Sequence, residues 1–210
     1  AGLHIVGEQF QRGEHCLMAI PGAKLEDIRR IHTHPVALGQ IRKLIDELQV
    51  SGVAAFDTAG AAEILRNTAS REDGVVASEL AAELNGLEIL RRNVEDAPHN
   101  TTRFYIVSRE SRWPSPEVAH VMTTLLFRVR NAPGPVYRAL GGFAENGVSM
   151  TRLESYMLDG AFAATQFLLD VEGHPAQAGL KAALAALPQF CDSSSILGVY
   201  PTSRERHFAS

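Results

Sequence analysis

Apolar and polar residues recur with two different periods along this 210-residue chain, and the switches between them mark its elements. Period-two alternation over Leu3–Gln9 and again over His15–Ile20 predicts two strands, joined by the polar turn Gln11-Arg12-Gly13. Lys24–Arg29 fits one helical turn, and a short strand follows around Arg30–Thr33. Pro35 then opens a helix at the position where a missing N–H costs nothing. Ala37, Leu38, Ile41, Leu44, Ile45 and Leu48 recur at helical spacing, which predicts one helix with one buried face. Next come a strand at Val53–Phe56 and a helix from Ala59 to about Ala69, capped by Asp57 or Thr58. A strand at Gly74–Ala77 leads to a helix capped by Ser78 and ended by Asn85-Gly86. Leu87–Val94 and Arg103–Val107 complete this half as strands. Such strand–helix alternation belongs to an α/β layer with a partly parallel sheet.

Trp113-Pro114-Ser115-Pro116 breaks the pattern and reads as a linker. Beyond it a strand at Thr123–Val129 is followed by the turn Asn131-Ala132-Pro133-Gly134 and a helix over Pro135–Glu145. Val136, Ala139, Leu140 and Phe143 share one face of that helix, and Asn146-Gly147 ends it. A strand at Val148–Met157, the turn Leu158-Asp159-Gly160, a strand at Phe162–Val171, a helix at Ala176–Leu187 and a strand at Phe190–Val199 complete the half. The order is βαββαβ, the ferredoxin-like arrangement, in about eighty residues.

Composition narrows the setting. Hydrophobic residues make up 45% and charged residues 21%, enough to bury a real core. A net charge of −4 and a pI near 6.1 argue against nucleic acid or an anionic membrane as the main partner. Cys16 and Cys191 lie far apart in apolar runs, so both are expected to be reduced and buried in a cytoplasmic protein. No run reaches the ~18–20 apolar residues of a membrane helix, and no charged-then-apolar leader opens the sequence. The sequon Asn100-Thr101-Thr102 is therefore discounted as a glycosylation site.

Candidate chemistry lies at a few junctions. Ile31-His32-Thr33-His34-Pro35 holds two histidines but has no third ligand at a helical or hairpin spacing, so no metal is expected. His34 reads either as a cap for the helix opened by Pro35 or as part of a helix start facing a ligand carboxylate. Gly-x-Ser-x-Gly, Walker and Gly-x-Gly-x-x-Gly patterns are absent after strands, which removes support for serine hydrolases, P-loop enzymes and Rossmann dehydrogenases. Asn100-Thr101-Thr102-Arg103-Phe104 packs an amide, two hydroxyls and a guanidinium before a β-prone run. It reads either as an Asx/ST turn with an exposed Arg or as a donor cluster for an anionic ligand on a rigid edge.

In their order these segments resemble one family. Thr33-His-Pro-x-Ala-Leu-x-Gln40, Asp57-Thr-Ala-x-Ala-Ala62, Ala77-Ser-x-x-Ala-Ala82 with Asn85-Gly-Leu87, and Asn100-x-Thr-Arg-Phe104 are similar to prephenate dehydratase. Gly134 through Leu140, with Met150-Thr-Arg-Leu-Glu-Ser155, resembles the ACT regulatory domain that follows it. The resemblance implies one lobe of a type II periplasmic-binding-protein-like catalytic domain followed by a ferredoxin-like βαββαβ ACT domain. The expected boundaries are 1–112 for the catalytic part, 113–121 for a linker, 122–201 for the ACT domain and 202–210 for a tail.

The family converts prephenate to phenylpyruvate, carbon dioxide and water on the route to phenylalanine, without a cofactor. The resemblance assigns catalysis to Thr102, with Arg103 holding the geometry or a substrate carboxylate. Asn100 would orient Thr102, Phe104 would pack behind it, and Gln40 and His34 would add substrate contacts. Gly134, Pro135, Val136, Glu154 and Ser155 would bind phenylalanine for feedback control. The family's sensing motifs read Gly-Ala-Leu-Val and Glu-Ser-Arg-Pro. Here they read Gly134-Pro135-Val136-Tyr137 and Glu154-Ser155-Tyr156-Met157, so altered affinity or ligand choice is expected. A homo-dimer or homo-tetramer follows from the ACT resemblance. The family's Glu-Asn-Ser substrate segment does not occur here, which leads to the expectation of a fragment lacking the first lobe and inactive alone. Arogenate in place of prephenate, and an amino-acid-binding module without catalysis, stand as alternatives.

Overall fold

The computed structural model describes residues 2–97, 100–130, 133–158 and 164–207. Two compact units divide them: a central unit, Gln11–Thr102, and a terminal unit made of Ala1–Phe10 with Arg103–Ser210. The expected turn residues Asn131, Ala132, Asp159 and Gly160, and the expected strand start at Phe162, lie outside the described residues.

The central unit carries a five-stranded sheet. Its strands are β2 (Cys16–Ala19), β3 (Arg30–Thr33), β4 (Ser51–Ala54), β5 (Asp73–Ala77) and β6 (Glu88–Arg91), after β1 (His4–Arg12) of the other sheet. They lie in the order β4-β3-β5-β2-β6. β3 runs parallel to β4 and β5, whereas β2 is antiparallel to β5 and β6, so the sheet is partly parallel as its sequence period implies. Strand alternation sends Met18, Val75 and Ala77 to a layer made by α3 (Thr58–Thr68) and α4 (Glu79–Asn85). Leu17, Ile31 and Val76 point the other way, onto Ile41 and Leu44. Complete burial of each of the larger of these side chains, Val, Leu, Ile and Met, contributes about 1.5–3 kcal/mol. The helices start where the sequence places caps: Asp57 Oδ1 accepts the Gly60 N–H at 2.6 Å, and Ser78 Oγ accepts the Ala81 N–H at 3.3 Å.

One expected helix is two. α1 (Pro35–Leu38) stops at Gly39, and α2 (Arg42–Leu48) begins after Ile41. The apolar period runs through the break, but Asp96 takes the first amides of α2: its carboxylate accepts from the Arg42 and Lys43 N–H groups at 2.9 and 3.0 Å. A cap delivered from 54 residues away overrides the local helical period.

The terminal unit is built on a six-stranded sheet in the order β7-β1-β11-β8-β10-β9. These strands are β7 (Thr101–Ser108), β8 (Val121–Val129), β9 (Met150–Met157), β10 (Ala164–Glu172) and β11 (Cys191–Pro201), with β1. With α5 (Pro135–Glu145) and α6 (Ala178–Ala186), the stretch from β8 to β11 reproduces βαββαβ with its edge strand β9. Leu125, Phe127, Phe167 and Leu169 face Ala139, Phe143, Leu180 and Ala183 of the helices. The sequence expectation of a turn joining the first two strands is corrected here, because β1 and β2 belong to different sheets. β1 instead lies parallel to β11, with Ile5 opposite Gly198. A Cβ at Gly198 would overlap the Ile5 carbonyl oxygen, so only glycine lets the strands approach. The compact units divide the chain at residues 10/11 and 102/103. The reason is that β1 and β7 extend the ferredoxin-like sheet.

Candidate functional site

Parallel pairing brings the motif segments of the central unit to one edge of its sheet. β3, β4 and β5 share a direction, so His34, Asp57-Thr58 and Ser78 all leave at the carboxyl ends of strands. β2 is antiparallel, with Cys16 opposite Ala77, which brings His15 to the same edge. Leu17 lies opposite Arg91, so Arg92 arrives there from β6. Ligands of open α/β sheets bind at such edges. A cleft of about 450 Å³ opens here, lined by Arg12, His15, Thr58, Ser78, Glu79 and Arg92 among others. Two guanidiniums, an imidazole and two hydroxyls converge in it, a donor set suited to a small anion. Arg92 is ion-paired to Glu79 at 2.6 Å. The Cys16 thiol in the cleft wall is pushed up by burial, so it is kept neutral rather than as a thiolate.

Beside it lies a second cavity of about 370 Å³ lined by Gln40, Glu95, Asp96, Asn100 and Thr101. Gln40, freed from helical geometry by the α1–α2 break, accepts at Oε1 from the Asn100 Nδ2 group at 3.3 Å and donates from Nε2 to Asn100 Oδ1 at 3.2 Å. The same Oε1 is 2.9 Å from His15 Nε2, so His15 connects the two cavities. The Gly13 N–H donates to the Asn100 carbonyl at 2.8 Å, and a Cβ at Gly13 would lie 2.7 Å from the Asn100 amide nitrogen. Asn100 is thus held on both sides, and Thr102 follows two residues later with its side chain exposed.

The other expected residues fall elsewhere. Arg103 points to the opposite face of β7 from Thr102, into the interior of the terminal unit. Its Nε donates to Glu8 at 2.7 Å, its Nη2 to the Tyr200 hydroxyl at 2.9 Å, and its Nη1 to Asp170. Burial disfavours the Arg103 charge, but Asp170, Tyr200 and Tyr105 together more than offset this and hold its pKa above the usual arginine value. Of the two roles expected for Arg103, holding geometry matches these partners; a substrate carboxylate would have to displace one. Phe104 was expected to pack behind Thr102, but it is 54% exposed, because alternation carries it to the outer face with Thr102 and Ile106. His34 caps α1: its Nδ1 accepts the Val36 N–H at 3.2 Å.

In the terminal unit, Gly134 adopts a left-handed backbone (φ 67°) at the cap of α5, with Pro135 and Val136 in the first turn. Glu154 and Ser155 stand on the edge strand β9. Glu154 accepts from the Tyr156 hydroxyl at 2.7 Å and from Arg152 at 2.6 and 3.0 Å. Those bonds hold its carboxyl below the usual range, Tyr156 first and Arg152 second. Among the described residues no hydrogen bond joins Gly134–Val136 to Glu154–Ser155.

The sequence reading passed over His15, Thr58, Ser78 and Arg92 as site residues. Thr58 and Ser78 were visible as helix-start positions, but nothing local says that two helix starts share one sheet edge. Among the described residues no group of three His, Cys, Asp or Glu side chains is placed to hold a metal ion, and no helix is long and apolar enough to cross a membrane.

With this geometry in view, the similarities are specific. The family model for prephenate dehydratase matches residues 1–112. A bifunctional N-acyl-homoserine lactone acylase/prephenate dehydratase of Komagataeibacter europaeus is 64% identical over 97% of this chain and 72% of its own. A chloroplastic arogenate dehydratase/prephenate dehydratase of Arabidopsis thaliana is 33% identical over 95% of this chain. The chain spans only 54% of that plant protein. The crystal structure of prephenate dehydratase from Arthrobacter aurescens in complex with L-Phe superposes with a TM-score of 0.85, at 30% identity, over 95% of this chain and 66% of that one.

Proposed function

Since the chain belongs to the prephenate dehydratase family, we propose that it supplies the Thr102-bearing part of an enzyme converting prephenate to phenylpyruvate. The observation that carries this reading is the cleft of the central unit. There Thr58 and Ser78 of two motif segments meet Arg12, His15 and Arg92 at one sheet edge, beside the Gln40–Asn100 amide pair that leads into Thr102. Prephenate carries two carboxylates and a ring hydroxyl, and its aromatisation drives loss of carbon dioxide and water. The protein's task is to orient the dianion and to stabilise the departing oxygen. Arg12, Arg92 and His15 offer charge-assisted donors for the carboxylates. A threonine hydroxyl is too weak an acid to be a free proton source at neutral pH, so Thr102 acts by hydrogen bond or relayed proton as charge builds on the leaving oxygen.

Thr102→Ala in the full-length gene product is expected to lower kcat about 10²–10⁴-fold, read as phenylpyruvate formation. An unchanged kcat would remove Thr102 from the mechanism. These 210 residues do not contain the family's Glu-Asn-Ser segment, and by themselves they are expected to turn over prephenate little or not at all. Feedback by phenylalanine at Gly134–Val136 and Glu154–Ser155 is supported by the L-Phe complex of the Arthrobacter enzyme. Pairing through the open edge of β9 would give the homo-dimer or homo-tetramer. Arogenate differs from prephenate by an amino group in place of the keto oxygen, and comparing kcat/KM for the two separates them.

A second activity is supported by one observation, the 64% identity to a relative that is also an N-acyl-homoserine lactone acylase. Release of free homoserine lactone from an N-acyl-homoserine lactone, followed by mass spectrometry, tests it. Persistence of that release in Thr102→Ala would assign it to a different set of residues.

A further inference from the structure

Arg103 and Glu154 lie on different strands, yet an unbroken line of hydrogen bonds joins them inside the terminal unit. Arg103 Nη1 donates to Asp170, a carboxylate of β10 with no exposed surface. Asp170 also accepts from the Thr124 hydroxyl at 2.6 Å and from the Tyr105 hydroxyl at 3.1 Å. The Tyr105 hydroxyl in turn accepts from Arg152 Nη1 at 2.6 Å. The remaining donors of Arg152, Nε and Nη2, reach Glu154 Oε1 at 3.0 and 2.6 Å. The Tyr105 ring packs against both guanidiniums, with the Arg103 and Arg152 carbons 4.6 and 5.6 Å from its centroid.

Tyr105 is the single-atom joint of this line. Its one hydroxyl donates toward Asp170 and accepts from Arg152, so it cannot gain or lose a partner on one side without altering the other. Arg103 is the residue after Thr102, and its three donor nitrogens are fixed by Glu8, Asp170 and Tyr200. A shift of Asp170 is therefore felt in the backbone that carries Thr102.

Resting on the reading of Glu154 and Thr102 given above, we propose that the line Glu154–Arg152–Tyr105–Asp170–Arg103 couples ligand binding at Glu154 to the setting of Thr102. An amino-acid ligand whose ammonium group engages Glu154 competes with Arg152 for the same carboxylate oxygens. Arg152 then loses its anchor, its bond to the Tyr105 hydroxyl changes, and Asp170 redistributes its acceptance between Tyr105 and Arg103. The ligand acts because it meets Glu154 differently in the two arrangements.

Tyr105→Phe removes the joint and keeps the ring. In the full-length gene product it is expected to retain kcat/KM for prephenate and the calorimetric Kd for phenylalanine. The phenylalanine concentration for half-inhibition is expected to rise roughly tenfold or more. Arg152→Met cuts the same line one step away; having lost the competitor for Glu154 it is expected to bind phenylalanine at least as tightly while losing inhibition, which keeps the test open should Tyr105→Phe fail to fold. Inhibition of both variants at the wild-type phenylalanine concentration would overturn the proposal. So would equal weakening of binding and inhibition, since that places Tyr105 in the ligand site rather than between sites. A wild-type protein that turns over prephenate and binds phenylalanine without inhibition defeats this proposal alone; one with no turnover defeats the dehydratase reading beneath it.

Discussion

The two units place their charges oppositely. The central unit packs apolar clusters on both faces of its sheet and gathers arginines, histidine and hydroxyls at the rim, where the cleft opens. The terminal unit keeps its main apolar core on the helix-covered face, with a smaller cluster of Ile5, Met122 and Tyr200 on the other. On the other face it buries Glu8, Asp170, Thr124 and Tyr200 around Arg103. Rim charges remain largely solvated even where paired, as Arg92 is to Glu79, so they contribute little stability. Buried charges must be fully partnered, and losing one partner strands the rest. In the central unit polarity gathers at the solvated edge; in the terminal unit it is buried and fixes one arrangement of strands.

Removing a buried charge tests that contrast most strongly. Asp170→Ala removes one of the two carboxylates that hold Arg103, leaving only Glu8, and strands the Thr124 and Tyr105 hydroxyls, so it is expected to cost about 3–5 kcal/mol. Trp113, the chain's only tryptophan, packs edge-on to His174 in the terminal unit, so its fluorescence in denaturant follows that unit. A shift below about 1 kcal/mol would place the network among weakly coupled surface pairs.

Acid comes second. Burial works against ionised Glu8, but Arg206, the Ser203 N–H and Arg103 together hold its carboxyl below the usual range. A lowered carboxylate contributes stability above its unfolded pKa, about 4.3, and loses it as pH falls through the lower folded value. The Trp113 transition is therefore expected to weaken progressively below about pH 4.3, and less so in Glu8→Gln, which has already lost this contribution. Equal acid sensitivity in the two proteins would assign the effect to other groups.

The smallest effect belongs to the central unit's solvated sheet edge opposite the cleft, where β3 and β5 begin. Asp73 accepts from Arg30 at 2.6 Å and from His32 at 3.0 Å beside the parallel β3–β5 pair. Arg30 is nearly half exposed, so Asp73→Asn is expected to cost about 1 kcal/mol or less. Amide exchange along β3 and β5 reads that change. A loss as large as that of Asp170→Ala would erase the distinction between the units.

Much of this architecture was legible locally. The bounds of α5, the strand β3, and the caps Asp57 and Ser78 follow from neighbouring residues alone. What escaped the sequence depends on partners far along the chain. Asp96 divides the helix that Pro35 opens, and Glu8 and Asp170 draw Arg103 away from the Thr102 face. Gln40 and Asn100 were both expected at the site, and the structure adds that they bond to each other and that Gln40 also bonds to His15. Thr58 and Ser78 required the parallel register before they could be seen as neighbours.

The pairing of Ile5 with Gly198 has a consequence for synthesis. β1 leaves the ribosome among the first residues of this stretch, while its parallel neighbour β11 emerges among the last. The central unit finds every strand of its sheet within Gln11–Thr102 and can close as soon as that segment is clear. Until β11 arrives, β1 lacks that neighbour and presents an open edge, the kind of surface that recruits stray strands. Folding of the nascent chain should therefore run from the middle outward, with Gly198 admitting the last partner.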